Sequence, residues 1–145
     1  MPSLWPIGRP TNGLARWEHC ADLNPNLADR DGRTPLLQTS LYGHEGVVRI
    51  LLGCIDINPN SADRHGYTAL ILASTNGHEG VVASLLGRTD IDPNTGPVGQ
   101  TPLYLASENG REGVVRVLLS GAHVNPNPGD SVGRTPLLQA SEKWP

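Results

Sequence analysis

The residues best suited to chemistry are the pairs His44-Glu45 and His78-Glu79. An imidazole beside a carboxylate can bind a metal ion or relay a proton. A helical zinc site needs a second histidine four residues on, so that both ligands share one face. Those places hold Val48 and Val82, and where the pair returns a third time the histidine is Arg111, which binds no metal. The pairs therefore read as helix-start residues. Ser40, Ser74, Ser107 and Ser141 recur at one phase. A nucleophilic serine is a single residue with a histidine and an acid trained on it, so these four read as packing and backbone-bonding residues. No Gly-x-Gly-x-x-Gly or phosphate loop occurs. Asp56, Asp90 and Asp92 lack calcium-loop spacing. The expectation is a protein that is not an enzyme, with no catalytic residue, no metal site and no cofactor.

The recurrence itself is the stronger signal. Thr34, Thr68, Thr101 and Thr135 stand 34, 33 and 34 residues apart. A fixed period of this length marks stacked repeats. Each unit can be built from local rules. Thr34-Pro35 starts a helix, because the threonine oxygen caps free N–H groups and proline loses nothing at the first helical position. Leu36, Leu37 and Ser40 follow at helical spacing, and Gly43 ends the helix. Glu45 puts a carboxylate at the positive end of a second helix, whose apolar face is Val47, Val48, Ile50, Leu51 and Leu52. Gly53 stops it. The run Asp56-Ile-Asn-Pro-Asn60 is extended or turned, since proline restricts its predecessor and asparagine favours turns. One helix–turn–helix–loop unit cannot hide its own apolar face, whereas a stack of them buries a continuous core.

These residues resemble the ankyrin repeat. The resemblance rests on Gly-x-Thr-Pro-Leu (Gly32–Leu36, Gly99–Leu103, Gly133–Leu137), its variant Gly66-Tyr-Thr-Ala-Leu70, the Gly-His-Glu-Gly-Val-Val runs at Gly43–Val48 and Gly77–Val82, and the closing Leu-Leu. It spans about Asp22 to Glu142 and implies an all-α ankyrin-repeat solenoid of about three full repeats with partial units at both ends. Two features depart from the family pattern. The histidine that usually follows Thr-Pro-Leu is replaced by Leu37, Ile71, Tyr104 and Leu138, so apolar packing must do the work of a hydrogen-bonded link between turns. The loop form Asp-Ile-Asn-Pro-Asn resembles ankyrin arrays of large fungal proteins.

The expected organisation is a flexible N-terminal arm at 1–13, then a repeat domain at 14–145. The domain divides into a partial unit 14–30, repeats at about 31–64, 65–97 and 98–131, and a partial unit 132–145. The arm matches nothing in the repeat and lacks the apolar core of a signal peptide. It reads as disordered unless Trp5 and Ile7 fold back over the first repeat. Cys20–Asn26 matches Cys54–Asn60 at an offset of 34, which makes Leu14–Asn26 a worn half-repeat. Half-units at both ends fit either a piece of a longer array or a designed stop. The two cysteines take equivalent places in adjacent units. Packed helices lie roughly 8–10 Å apart, beyond disulfide reach, so free thiols and a cytoplasmic, reducing location are expected, with the nucleus as an alternative. The net charge of -3 argues for neither nucleic acid nor a membrane surface, and no apolar run is long enough to span a bilayer.

Variation at fixed phase marks the candidate binding residues. The tips before each Thr-Pro carry Arg30, Asp31 and Arg33, then Arg64, His65 and Tyr67, then Gln100, then Arg134. The ends of the first helices carry Leu41 and Tyr42, Thr75 and Asn76, Glu108 and Asn109. The ankyrin resemblance implies that these phases line a concave face and its finger-like turns, which grip another protein. Arginine and tyrosine are enriched in binding hot spots, so Arg33, Tyr42, Arg64, Tyr67 and Arg134 lead. On this reading Tyr67→Ala weakens binding and leaves melting almost unchanged. The function expected is a protein–protein interaction module, with a structural spacer or a fragment of a longer array as the alternative. A monomer is expected, with end-to-end self-association as the other arrangement.

Overall fold

The computed structural model describes residues 24–121, 123–127 and 132–143. The expected arm and most of the worn half-repeat lie outside them. Among the described residues, seven α-helices follow in order: α1 Pro35–Tyr42, α2 Glu45–Leu52, α3 Ala69–Asn76, α4 Glu79–Leu86, α5 Pro102–Glu108, α6 Glu112–Leu119 and α7 Pro136–Lys143. No strand occurs among the described residues; an isolated bridge joins Ala62 to Thr68. The chain is an all-α repeat stack. The first helices α1, α3, α5 and α7 pack in one row, and the second helices α2, α4 and α6 in another.

Each first helix starts as its threonine dictates. Thr34, Thr68, Thr101 and Thr135 accept the N–H of Leu37, Ile71, Tyr104 and Leu138 at 3.2–3.3 Å. α1 and α3 end on Gly43 and Gly77 in the left-handed conformation. The second helices end differently. Gly53 and Gly87 keep right-handed helical angles, and Ser120 takes the same place in the third unit. Glycine is therefore not what stops these helices.

The core fills the space between the rows. Leu36, Leu70 and Leu103 of the first helices meet Val48, Val81, Val82, Leu85, Val114 and Leu118 of the second. The residues standing in the family's histidine slot are buried too. Leu37 joins this core, while Ile71 and Tyr104 form a second cluster with Leu105. Buried side chains thus fill that slot, but neighbouring turns keep a polar link as well, the Arg64 N–H donating to the Asp31 carbonyl at 3.0 Å. Ser40 and Ser74 are fully buried, and their hydroxyls have no hydrogen-bond partner. Ser141 donates to the Leu138 carbonyl at 2.8 Å. For Ser40 and Ser74, then, the role is packing and not backbone bonding.

The cysteine expectation is corrected. Cys54 is disulfide-bonded; Cys20, the other cysteine of the chain, lies outside the described residues. The helix-spacing argument does not apply, because Cys54 sits beyond the end of α2 in a bend that is free of helix-axis geometry. The inference from free thiols to a reducing compartment goes with it.

Candidate functional site

The turn tips are built by aspartate. Asp29 Oδ1 accepts the N–H groups of Asp31 and Arg33, both at 2.9 Å. Asp63 Oδ1 does the same for His65 at 2.9 Å and Tyr67 at 3.0 Å. The side chain thus closes its own turn, as short polar residues do. The turns then stack. Arg64 donates its backbone N–H to the Asp31 carbonyl at 3.0 Å. Gly32, at φ +77°, lies directly beneath: a Cβ there would come within 3.0 Å of the Arg64 nitrogen, so both backbone angle and clearance demand glycine. In the third unit Gly96 replaces the aspartate, and Pro97–Gly99 form a short 3-10 turn instead.

The fourteen candidate residues divide sharply. Arg30, Asp31, Arg64 and His65 are exposed at the tips, and Tyr42, Asn76 and Asn109 at the ends of the first helices. Arg33, Leu41, Tyr67, Thr75, Gln100, Glu108 and Arg134 are half-buried. Several spend their polar atoms inside the stack. Arg33 Nε lies 4.0 Å from the buried Asp63 carboxylate, an ion pair without a hydrogen bond. Arg64 pairs with Asp31 at 3.3 Å, and the Tyr67 hydroxyl donates to Gln100 Oε1 at 3.4 Å. Thr75 and Asn76 donate to the Ile71 and Leu72 carbonyls of their own helix, and Asn109 to Leu105, all at 2.8 Å. Leu41 packs on the main core, and Tyr67 packs on both clusters. Tyr67 is therefore a structural contact as well as a tip residue, and the expectation that its removal leaves melting unchanged is corrected.

Two sets of functional groups in the stack escaped the sequence reading. The first is the residue before each glutamate. His78 Nε2 donates to the Leu41 carbonyl at 2.9 Å, and Arg111 Nε donates to the Thr75 carbonyl at 2.9 Å. Neither caps its own helix. Each reaches back to the negative C-terminal end of the preceding unit's first helix, where a cationic or N–H-bearing group is favoured. This corrects the helix-start reading for the histidine, and it explains why arginine replaces it. The glutamate that follows does lie in the first turn of its helix. It also covers the next unit: a Cβ on Gly80 would strike the Glu45 carboxylate, and one on Gly113 the Glu79 carboxylate.

The second set is the asparagine of each loop. Asn26 donates its amide to the Asp56 carbonyl at 2.6 Å and accepts the Asn58 N–H at 2.7 Å. Asn60 clamps Asp90 (2.6 Å) and Asp92 (3.0 Å) in the same way, and Asn94 clamps His123 (2.8 Å) and Asn125 (2.7 Å). Within each loop, Asn24, Asn58, Asp92 and Asn125 accept the N–H two residues on at 3.0–3.1 Å. The only signal was the repeat of Asn-Pro-Asn and Asp-Pro-Asn at the motif's end.

Electrostatics adds one local feature. Arg88 holds Asp90 through two hydrogen bonds, at 2.7 and 2.8 Å, and donates to the Leu52 carbonyl of the preceding unit at 2.6 Å. The Arg88 hydrogen bonds hold the Asp90 carboxyl below its ordinary value, and the same pairing raises Arg88. Asp92 is lowered by the Thr95 hydroxyl and the Asn94 N–H. No cluster of three or more His, Cys, Asp or Glu side chains able to hold a metal occurs among the described residues. No helix among them is long and apolar enough to cross a membrane.

No curated protein matches the chain. Residues 12–97 match the family described as Ankyrin repeats (3 copies), and residues 98–130 match that described as Ankyrin repeat. These repeats are generally protein-interaction modules and a non-enzymatic fold. With the Thr-Pro helix starts, the two helical rows and this match over most of its length, the chain belongs to the ankyrin repeat family.

Proposed function

We propose that the chain is a protein–protein interaction module that holds another protein along the surface formed by its turn tips and first-helix ends. The observation that carries this reading is an exposed, chemically varied row on a rigid support: Arg30, Asp31, Arg64 and His65 at the tips, and Tyr42, Asn76 and Asn109 at the helix ends. Tyr42 is 59% exposed beside His44, with ring centroids 6.2 Å apart. A large aromatic held at the surface is a favourable anchor. The stacked turns are already ordered by Asp29, Asp63 and the Arg64–Asp31 backbone bond, so little entropy remains to be lost on binding. The mechanism is display: the scaffold fixes the spacing and the variable side chains select the partner.

The test is affinity capture with the intact chain against a variant in which Arg30, Tyr42 and His65 are all alanine. These three are exposed, so the variant should keep its melting temperature. A partner retained by the first and lost by the folded second supports the surface. Identical capture by both removes it. A second reading, a structural spacer, is favoured by the way Arg33, Tyr67 and Gln100 turn inward to neighbouring units.

A further inference from the structure

Two neighbouring joints of the stack are fastened by different chemistry. Cys54 is disulfide-bonded, 3% exposed and part of the main core cluster. The offset of 34 residues that separates Cys20 from Cys54 also separates Cys54 from Arg88. Arg88 uses that position for a link to the preceding unit, donating to the Leu52 carbonyl at 2.6 Å. Beside each of the two, a loop asparagine adds the same pair of bonds: Asn60 to Asp90 and Asp92, Asn26 to Asp56 and Asn58. The position just beyond the second helix is therefore a linking position, filled by a guanidinium at one joint and by a sulfur at the other. The guanidinium link is indifferent to thiols, whereas thiol exchange undoes the sulfur link.

The sulfur link adjoins the candidate surface. Residues 24–28 lead from the asparagine clamp straight into Asp29, whose carboxylate closes the first tip by accepting the N–H groups of Asp31 and Arg33. Asp31 in turn accepts the Arg64 N–H and pairs with the Arg64 side chain. We infer that Cys54 is joined to Cys20, the only other cysteine of the chain, and that this bond is a redox-operated fastening. Oxidised, it holds residues 24–33 against the first full unit; reduced, it releases them. The reductant is a dithiol. One of its thiolates attacks the disulfide to form a mixed disulfide, and its second thiol displaces the cysteine still attached. Two electrons and two protons pass to the chain, which ends with two thiols, while the reductant ends as a disulfide. Cys54 is buried, so reduction waits on local opening of the joint, and the Asn26 clamp sets how often the joint opens. The consequence for binding rests on the interaction surface proposed above: release slackens the tip that displays Arg30 and Asp31, so reduction weakens the hold on the partner.

The experiment compares the intact chain, purified without reductant, before and after dithiothreitol. Peptide mass mapping under non-reducing conditions should find Cys20 and Cys54 cross-linked within a monomer. Reduction should speed amide exchange in residues 24–33 by about tenfold or more. The Asp92 amide, held by Asn60 at the next joint, should be unaffected. Asn26→Ala, at a partly exposed position, keeps the fold and should speed the reduction itself severalfold; an unchanged rate removes the clamp from the gate. Two free thiols in the unreduced chain, a cross-link between two copies, or exchange at 24–33 that ignores reduction would overturn the fastening. So would an equal rise at Asp92, because the whole stack would then be opening. These readouts need no partner, so they fail separately from the interaction surface. For that surface, affinity capture by the reduced chain should retain less partner, and equal capture in both states overturns the regulation.

Discussion

Removing the Asn60 side chain tests whether the loops hold the units together. Asn60 makes two bonds to the next loop, a 2.6 Å donation to the Asp90 carbonyl and a 3.0 Å acceptance from the Asp92 N–H. A hydrogen bond within a protein contributes about 0.5–1.5 kcal/mol net. Asp90 and Asp92 are exposed, so water takes over their backbone groups once the amide is gone, and each bond falls toward the lower end. Asn60→Ala should therefore cost about 1–2 kcal/mol, a fall in melting temperature of roughly 3–8 °C for a domain of this size. Urea unfolding measures it as a lower midpoint at unchanged slope. Asn60→Asp keeps the acceptor but loses the donor, and should fall between the two. Asn76→Ala is the control. That residue is also exposed, but it bonds only the Leu72 carbonyl of its own helix, and alanine favours helix, so its cost should stay under about 0.5 kcal/mol. If Asn60→Ala matches the parent, or Asn76→Ala costs as much, the clamp does not link the units.

Other perturbations follow from the same contacts. His78→Ala should lose about 0.5–1.5 kcal/mol with its bond to the Leu41 carbonyl, while His78→Arg, copying Arg111, should recover most of it; thermal melts of both decide. Tyr67→Ala should cost about 2 kcal/mol, roughly half the penalty of a fully buried aromatic, and calorimetry showing an unchanged melt would place Tyr67 outside the core. Asp90 and Asp92 carry carboxyl groups lowered in the folded state. Their contribution is complete above the ordinary carboxylate value and is lost as pH falls through the depressed one. Melting temperature should drop on acidification below about pH 4, and the drop should shrink in Asp90→Asn.

The helices were legible in the sequence because their signals are local. Thr34, Pro35 and Gly43 each act on the few residues beside them, and the four threonines repeat the message. The core was legible for a similar reason: Leu36, Val48 and Leu51 fall at helical spacing. What stayed hidden was contact between units. The period shows that Asn26, Asn60 and Asn94 are equivalent, but not that each reaches a backbone in the next loop. His78 and Arg111 look unlike, and only the shared carbonyl target makes them one feature. At the candidate surface the period marks equivalent phases, yet it could not separate Arg30, which faces solvent, from Arg33, which turns toward Asp63. That choice is made by the neighbouring turn. The Cys54 bond is invisible to helix spacing because the residue lies in a bend beyond the end of α2.

The side-chain bonds between units join residues only 29 to 37 positions apart in the chain. Closing a loop of that length carries the same entropy cost wherever along the array it happens, and that cost grows only slowly with length. The speed with which the chain finds its structure is thus set by the nearest pair of units and not by the full span. Lengthening the array should deepen stability while leaving the rate-limiting step where it is. Ordering can begin at whichever neighbouring pair is strongest, which by burial is the pair of units built on α3–α4 and α5–α6.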